Sequence, residues 1–323
     1  MKVLILGSGV IGVSTAYYLA RGGAETPCTD PAALWFDLES PNDAEEAQVE
    51  TALGVDVPTP AERAAFEESA RYYEDGGALY LTATLLGRRD EGPFVSGPVT
   101  FILARDKLAT VRQIKPRAFE VGQGRASARI GSAKNGADVF FALLEGAAER
   151  LADLMAEATR DANTLSSTIF SDHSQPDLRS LLRDLGRVGA LAALAHDSLS
   201  SLQRLLAYAQ LAKDRHGIDD ARVAAITRDV SELERIAEAL QPRLSYLQDA
   251  TLGLINAAQT NVLKALSLAT MAFIPPTLVA SVFGMNFDTL PWIHSGWGPW
   301  AGFLLMLIAP AALFAIAKWR KWF

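Results

Sequence analysis

Cysteine is almost absent from this 323-residue chain: Cys28 is the single one, so no disulfide can form within it, which fits a reducing compartment. Histidine is nearly as scarce, and His173, His196, His216 and His294 are too scattered to form a metal-ligand set. No nucleophile is paired with a base, and no glycine-rich loop is followed by the lysine that cradles phosphate. Basic residues are also outnumbered, giving a formal net charge of -7 that argues against a nucleic-acid partner and is compatible with traffic in cations. Between Lys264 and Asp288 charge is missing altogether.

That uncharged stretch, Val262 to Phe287, is helical in pattern, and roughly 20 apolar residues are what a helix needs to cross about 30 Å of hydrocarbon. Thr260, Leu263, Ser267, Thr270, Ile274, Thr277 and Ser281 are spaced by alternating threes and fours, which places them on one helix face. Polar side chains at bilayer depth must turn inward to partners or water. Such a face can line a pore, or its small residues can let neighbouring helices pack closely.

The stripe runs into Gly284-Met285-Asn286, preceded by Pro275-Pro276-Thr277-Leu278 and followed by Phe287 and a second span. Together with Asn261-Val262-Leu263-Lys264, in this order and spacing, these residues closely resemble the signature of the CorA family of magnesium channels. The resemblance implies a homopentameric, funnel-shaped channel in which Gly284, Met285 and Asn286 form the selectivity filter at the outer mouth of the pore. It implies Mg2+ as the transported ion, with cobalt and nickel as further substrates, no resident cofactor and no enzymatic activity. In such channels cytoplasmic acids at subunit boundaries also bind regulatory magnesium. The acids Asp219, Asp220, Asp229, Glu232, Glu234 and Glu238 are interleaved with arginines, and no motif assigns that role to any of them. A zinc-transporting relative is the nearest alternative, but such members usually alter the middle of the motif, and Met285 is kept.

The first 25 residues read differently. Lys2 to Leu6 form a buried-strand pattern, and Gly7-Ser8-Gly9-Val10-Ile11-Gly12 opens an apparent helix, as in the dinucleotide fingerprint. They resemble the N-terminus of FAD-dependent D-amino-acid dehydrogenases, which keeps an oxidoreductase fragment as the rival from another class. The required second strand is interrupted by Pro27 and Pro31, so the fingerprint is an orphan whose strand substitutes for the first strand of the following domain. A signal peptide is a further reading of Lys2 and its apolar run.

The expected architecture is an α+β cytoplasmic domain over 26–136, long stalk helices over 137–261 and a membrane domain over 262–323. Within the first, Trp35-Phe36-Asp37-Leu38 reads as a strand, Asp43 with Glu46 as a capping box, and Thr59-Pro60-Ala61-Glu62 as a second helix start running to about Tyr73. Ala78 to Leu86, Pro98 to Ala104 and Leu108 to Gln113 are β-rich, the last two forming a hairpin around Arg105-Asp106-Lys107. These segments look like the cytoplasmic domain of CorA proteins. Three helical blocks follow, Ala137 to Phe170, Leu178 to Lys213 and Asp219 onward, with a kink or boundary expected at Pro242.

The membrane spans are placed at about 262–283 and 300–317, joined by an external loop over 284–299. Lys318, Arg320 and Lys321 after the second span put both termini on the cytoplasmic side of a bacterial inner membrane, with tryptophans at both interfaces. Many family members carry an acid in the loop where Trp292 stands here, and Asp288 is the loop's own acid. Asn286 suits a filter for hydrated magnesium, because its amide oxygen accepts from metal-bound water. Leu263, Leu266 and Ile274 are candidates for a hydrophobic gate.

Overall fold

Six runs of strand-forming residues come together in one sheet: β1 (Lys2–Gly7), β2 (Ala33–Glu39), β3 (Tyr72–Asp75), β4 (Ala78–Arg88), β5 (Phe94–Ala104) and β6 (Lys107–Arg112). The computed structural model describes residues 2–7, 33–65, 67–89, 92–119, 129–171, 177–212, 216–285 and 296–320. They fall into two units, Met1–Gln248 and Asp249–Phe323. In space the strand order is β1-β2-β6-β5-β4-β3, parallel from β1 through β2 to β6 and antiparallel from β6 to β3. The N-terminal strand expected from its apolar run is therefore the sheet's edge, paired with β2 from Lys2 to Gly7. The fingerprint residues Ser8 to Gly12 lie outside the described residues.

Period-two alternation assigns the two faces of the sheet. Phe36 and Leu38, Ile102 and Ala104, and Ala109 and Val111 pack with Val49 and Leu53 of α1 (Asp43–Leu53). Trp35, Leu79, Phe101, Leu103 and Leu108 alternate with them and are fully buried, and the Phe101 ring meets Phe140 edge-on at 5.4 Å. Phe140 belongs to α4 (Gly136–Ile169), which is followed by α5 (Leu178–Leu211), α6 (Asp220–Phe283) and α7 (Gly298–Trp319).

Asp37 lies on the same sheet face as Trp35, fully buried, and its charge is met by Arg112 at 2.8 Å and by the Thr110 hydroxyl at 2.8 Å. Arg112 also reaches Glu39 at 2.8 Å. Burial disfavours the Arg112 charge, but Asp37 and Glu39 more than reverse this and raise its pKa. The start of α4 is pressed against the β5–β6 turn: Gly136 donates to the Asp106 carbonyl at 2.6 Å, and a Cβ there would lie 2.3 Å from the Lys107 backbone. Glycine is required at that position by the close approach of two backbones.

Three local expectations are corrected or narrowed by the structure. The first capping box is formed by Asn42 and Glu45, one residue earlier than Asp43 and Glu46. The helix from Pro60 does not run to Tyr73; it splits into α2 (Pro60–Arg63) and α3 (Glu68–Arg71), and Tyr72 starts β3. The cause is a tight hairpin in which Gly76 and Gly77, at φ of 58° and 80°, join Asp75 to its partner Ala78 and lay the Tyr73 ring on Tyr80. Finally, of the kink or boundary expected at Pro242, the boundary is absent: α6 continues through it. The proline sits on the exposed side of the helix, where water can satisfy the carbonyl it leaves unpaired, while Ala237, Leu240 and Leu244 hold the buried side.

Candidate ion pathway

In the second unit, the stretch of α6 beyond Thr251 carries no fully buried residue. Every residue of the sequence-derived stripe is exposed on the single chain: Thr260, Leu263, Ser267, Thr270, Ile274, Thr277 and Ser281. The half-buried positions, among them Leu268, Ala272, Pro275, Val279 and Phe283, recur at helical spacing on the other side. Phe283 has its ring within 4 Å of where a side chain on Gly302 of α7 would stand. On α7 the least exposed positions include Gly298, Gly302 and Ala317, small residues that suit close helix contact in lipid. Among the described residues, packing therefore uses one face of the membrane helix and leaves the hydroxyl face exposed.

The hydroxyls have a defined polarity. Thr260 donates to the Asn256 carbonyl and Thr270 to the Leu266 carbonyl, each at 2.8 Å. Thr277 does the same toward the carbonyls of Phe273 and Ile274. Each O–H is thus committed to its own helix, and what remains to offer outward is an oxygen lone pair. A hydrated divalent cation presents only water hydrogens to its surroundings, so acceptor oxygens are the matching partners. The gate candidates Leu263, Leu266 and Ile274 are large exposed apolar residues at 62%, 63% and 58% exposure, left largely uncovered by the described residues.

At the end of α6, Gly284 donates to the Ala280 carbonyl at 2.8 Å and Met285 to that of Val282 at 3.3 Å. These bonds close the last helical turn, and the Met285 side chain stands half exposed. Asn286, Asp288 and Trp292 lie outside the described residues. Trp297 and Trp300 mark one end of α7 and Trp319 the other, all strongly exposed, with Lys318 and Arg320 beside Trp319. At 1.5 Å per residue the 22 residues of α7 span about 33 Å, and both α6 and α7 are long and apolar enough to cross a membrane.

In the first unit the acids of α6 are dispersed rather than gathered. Glu234 accepts from Ser200 at 2.6 Å, and Arg222 draws Glu145 and Asp138 together at 2.8 and 3.4 Å. Among the described residues no group of three or more His, Cys, Asp or Glu is placed to hold a metal ion. Of the histidines, His216 stands 3.7 Å from Glu74 and His196 is on α5, while His173 and His294 lie outside the described residues.

Comparison with known proteins agrees with this geometry. The family described as CorA-like Mg2+ transporter protein matches residues 31–321, taking up after the glycine fingerprint. The Magnesium transport protein CorA of Wolinella succinogenes is 30% identical over 303 residues, covering 92% of this chain and 94% of that protein. The Escherichia coli K12 protein of the same description is 28% identical over 290 residues, covering 90% and 92%. Among solved structures, the complete CorA magnesium transporter from Methanocaldococcus jannaschii superposes with a TM-score of 0.66 at 18% identity, covering 88% of this chain and 89% of that one. The full-length CmaX protein gives 0.59 at 18% identity over 89% and 87%.

Proposed function

Because the chain belongs to the CorA-like Mg2+ transporter family, we propose that it forms a homopentameric channel that imports magnesium across the bacterial plasma membrane. It is a transporter and not an enzyme. The observation that carries the finer reading is the stripe from Thr260 to Ser281, exposed throughout on the single chain and leading directly to Gly284-Met285-Asn286.

Five copies of the stripe around an axis make a tube whose wall offers hydroxyl oxygens to water held by the ion. Magnesium dehydrates reluctantly, so selection acts on the hydrated ion. A neutral ring of Asn286 amides holds that ion through its water shell without trapping it in a strong charge pair. Met285 packs, and Gly284 permits close backbone approach at the helix end. Leu263, Leu266 and Ile274 close the path by dewetting when the wall narrows. The membrane potential supplies the drive: about 2.3 kcal/mol per charge per 100 mV, hence roughly 4.6 for a divalent cation entering a negative interior. Lys318 and Arg320 beside the end of α7 support a cytoplasmic position for that end, and with two spans both termini lie inside. Regulatory magnesium binds between copies, where acids scattered on one chain can face those of its neighbour. Asp288 stands in for the acid that Trp292 replaces, which broadens the accepted metals to cobalt and nickel.

A flux panel on reconstituted protein tests this reading. Under an inward-negative potential magnesium enters, cobalt and nickel follow, and Asn286→Ala lowers influx at least about tenfold, the loss expected when a charge-assisted contact is removed. Zinc entry without magnesium entry would move the chain to the zinc-handling branch. No influx of any of the four metals would overturn the channel reading.

A further inference from the structure

Half-buried arginines in this protein have oxygen partners. Arg63 reaches Glu46, Arg71 the Ala65 carbonyl, Arg112 Asp37, Arg129 Glu149, Arg222 Glu145 and Arg243 Asn163. Arg150, half-buried on α4, is the exception: among the described residues its guanidinium has neither an ion pair nor a hydrogen bond. Its surroundings hold two further cations as well as the acids Asp153 and Glu157, neither of which is in contact with it. Arg150 lies 5.8 Å from the centroid of the Phe94 ring, and Arg88 lies 4.5 Å from the same centroid. Arg117, from the 3-10 turn Arg117–Phe119, joins Arg150 in lining a shallow surface crevice whose apolar floor is made by Leu85, Leu86, Ala147 and Leu151. Neither Arg88 nor Arg117 is paired with a carboxylate among the described residues.

Three guanidinium groups from β4, the 3-10 turn and α4 are brought together here from positions far apart in sequence. Like charges gather at a cost that a bound anion removes, and the guanidinium fork matches the oxygens of a tetrahedral oxyanion. The apolar floor raises the strength of each contact by excluding water from one side. The electrostatics agree: burial lowers the Arg150 pKa, and Arg117 and Arg88 lower it further against the opposing pull of Asp153 and Glu157. We propose that Arg88, Arg117 and Arg150 form a binding site for a phosphate-type oxyanion on the body of the protein, with Arg150 at its half-buried centre.

The ligand chemistry has two sources, free inorganic phosphate and the phosphate chain of a nucleotide. Isothermal titration of the full-length protein in detergent, in phosphate-free and magnesium-free buffer, separates them, with inorganic phosphate and ATP titrated independently. Saturable binding is expected in at least one arm, weakened about tenfold or more by Arg150→Gln and by Arg117→Gln. Arg117 is exposed, so its variant tests the site without touching the core, and thermal melting checks that both variants fold. Arg150→Lys keeps the charge without the fork and should retain part of the affinity. Equal affinity for phosphate and ATP assigns the site to free phosphate; binding of ATP alone assigns it to a nucleotide. No saturable binding in either arm, or unchanged affinity in both Gln variants, overturns the proposal.

Discussion

From Val223 to Leu247, helix α6 hides one apolar face, with Val223, Ile226, Val230, Ala237, Leu240, Leu244 and Leu247 all buried. From Val262 to Val282 the same helix displays them, Val262 at 68%, Leu263 at 62% and Phe273 at 72% exposure. Both halves use the same alternation of three and four residues. In the first half the periodic positions are apolar and face protein; in the second the periodic stripe is hydroxyl-bearing and faces away from the chain's own contacts. The contrast shows that the helix period says which residues share a face, while the solvent around each half decides what that face is for.

The two halves should therefore fail in different ways. The largest effect on the body is expected from Asp37→Ala, which removes the fully buried partner of Arg112, leaves its charge to the partly exposed Glu39, and should cost about 3 kcal/mol, the low end for breaking a buried ion pair. A lowered melting temperature of the full-length protein in detergent would register it, whereas an unchanged one would mean that water reaches the pair and that the body is less dry than its burial implies. Gly136→Ala comes next: its Cβ would press into the Lys107 backbone, and about 1–3 kcal/mol is the usual cost of such overpacking. A smaller effect concerns pH. Burial, reinforced by Tyr73, Asp75 and Asp56, pushes the Tyr80 phenol up to about 12 from 10.0. The neutral phenol is the form the fold prefers, so its stabilising contribution is complete below pH 10 and is lost as pH rises through about 12. Tyrosinate absorbance should show a late-titrating group that disappears in Tyr80→Phe.

Sequence alone outlines the two membrane-length helices, because a long uncharged apolar run is legible without knowledge of its partners, and they end at Phe283 and Trp319. The three long helices after residue 136 are legible for the same reason, their observed starts at Gly136, Leu178 and Asp220 falling where the apolar spacing begins. The hairpin at Gly76-Gly77 carries a readable signal, a glycine pair between two β-capable runs, but the helix-forming residues before Tyr72 compete with it. Tyr73 is drawn into a strand by its pairing with Tyr80, a partner that local propensity does not contain. The Asp37–Arg112 pair and the Arg88, Arg117 and Arg150 group depend on residues brought together from distant strands and helices, so no local pattern encodes them. The edge position of β1 is likewise a matter of sheet pairing, not of its own residues.

The most direct test of the central claim is cysteine accessibility along α6. With Cys28 replaced by serine, single cysteines at Thr270, Thr277 and Ser281 are compared with ones at Ala272 and Val279 on the half-buried face, using a charged thiol reagent on protein in liposomes. Reaction at the stripe positions, slowed by magnesium, and protection at Ala272 and Val279 are the expected result. Equal protection at all five positions, or equal reaction at all five, would contradict a water-filled path along the hydroxyl face.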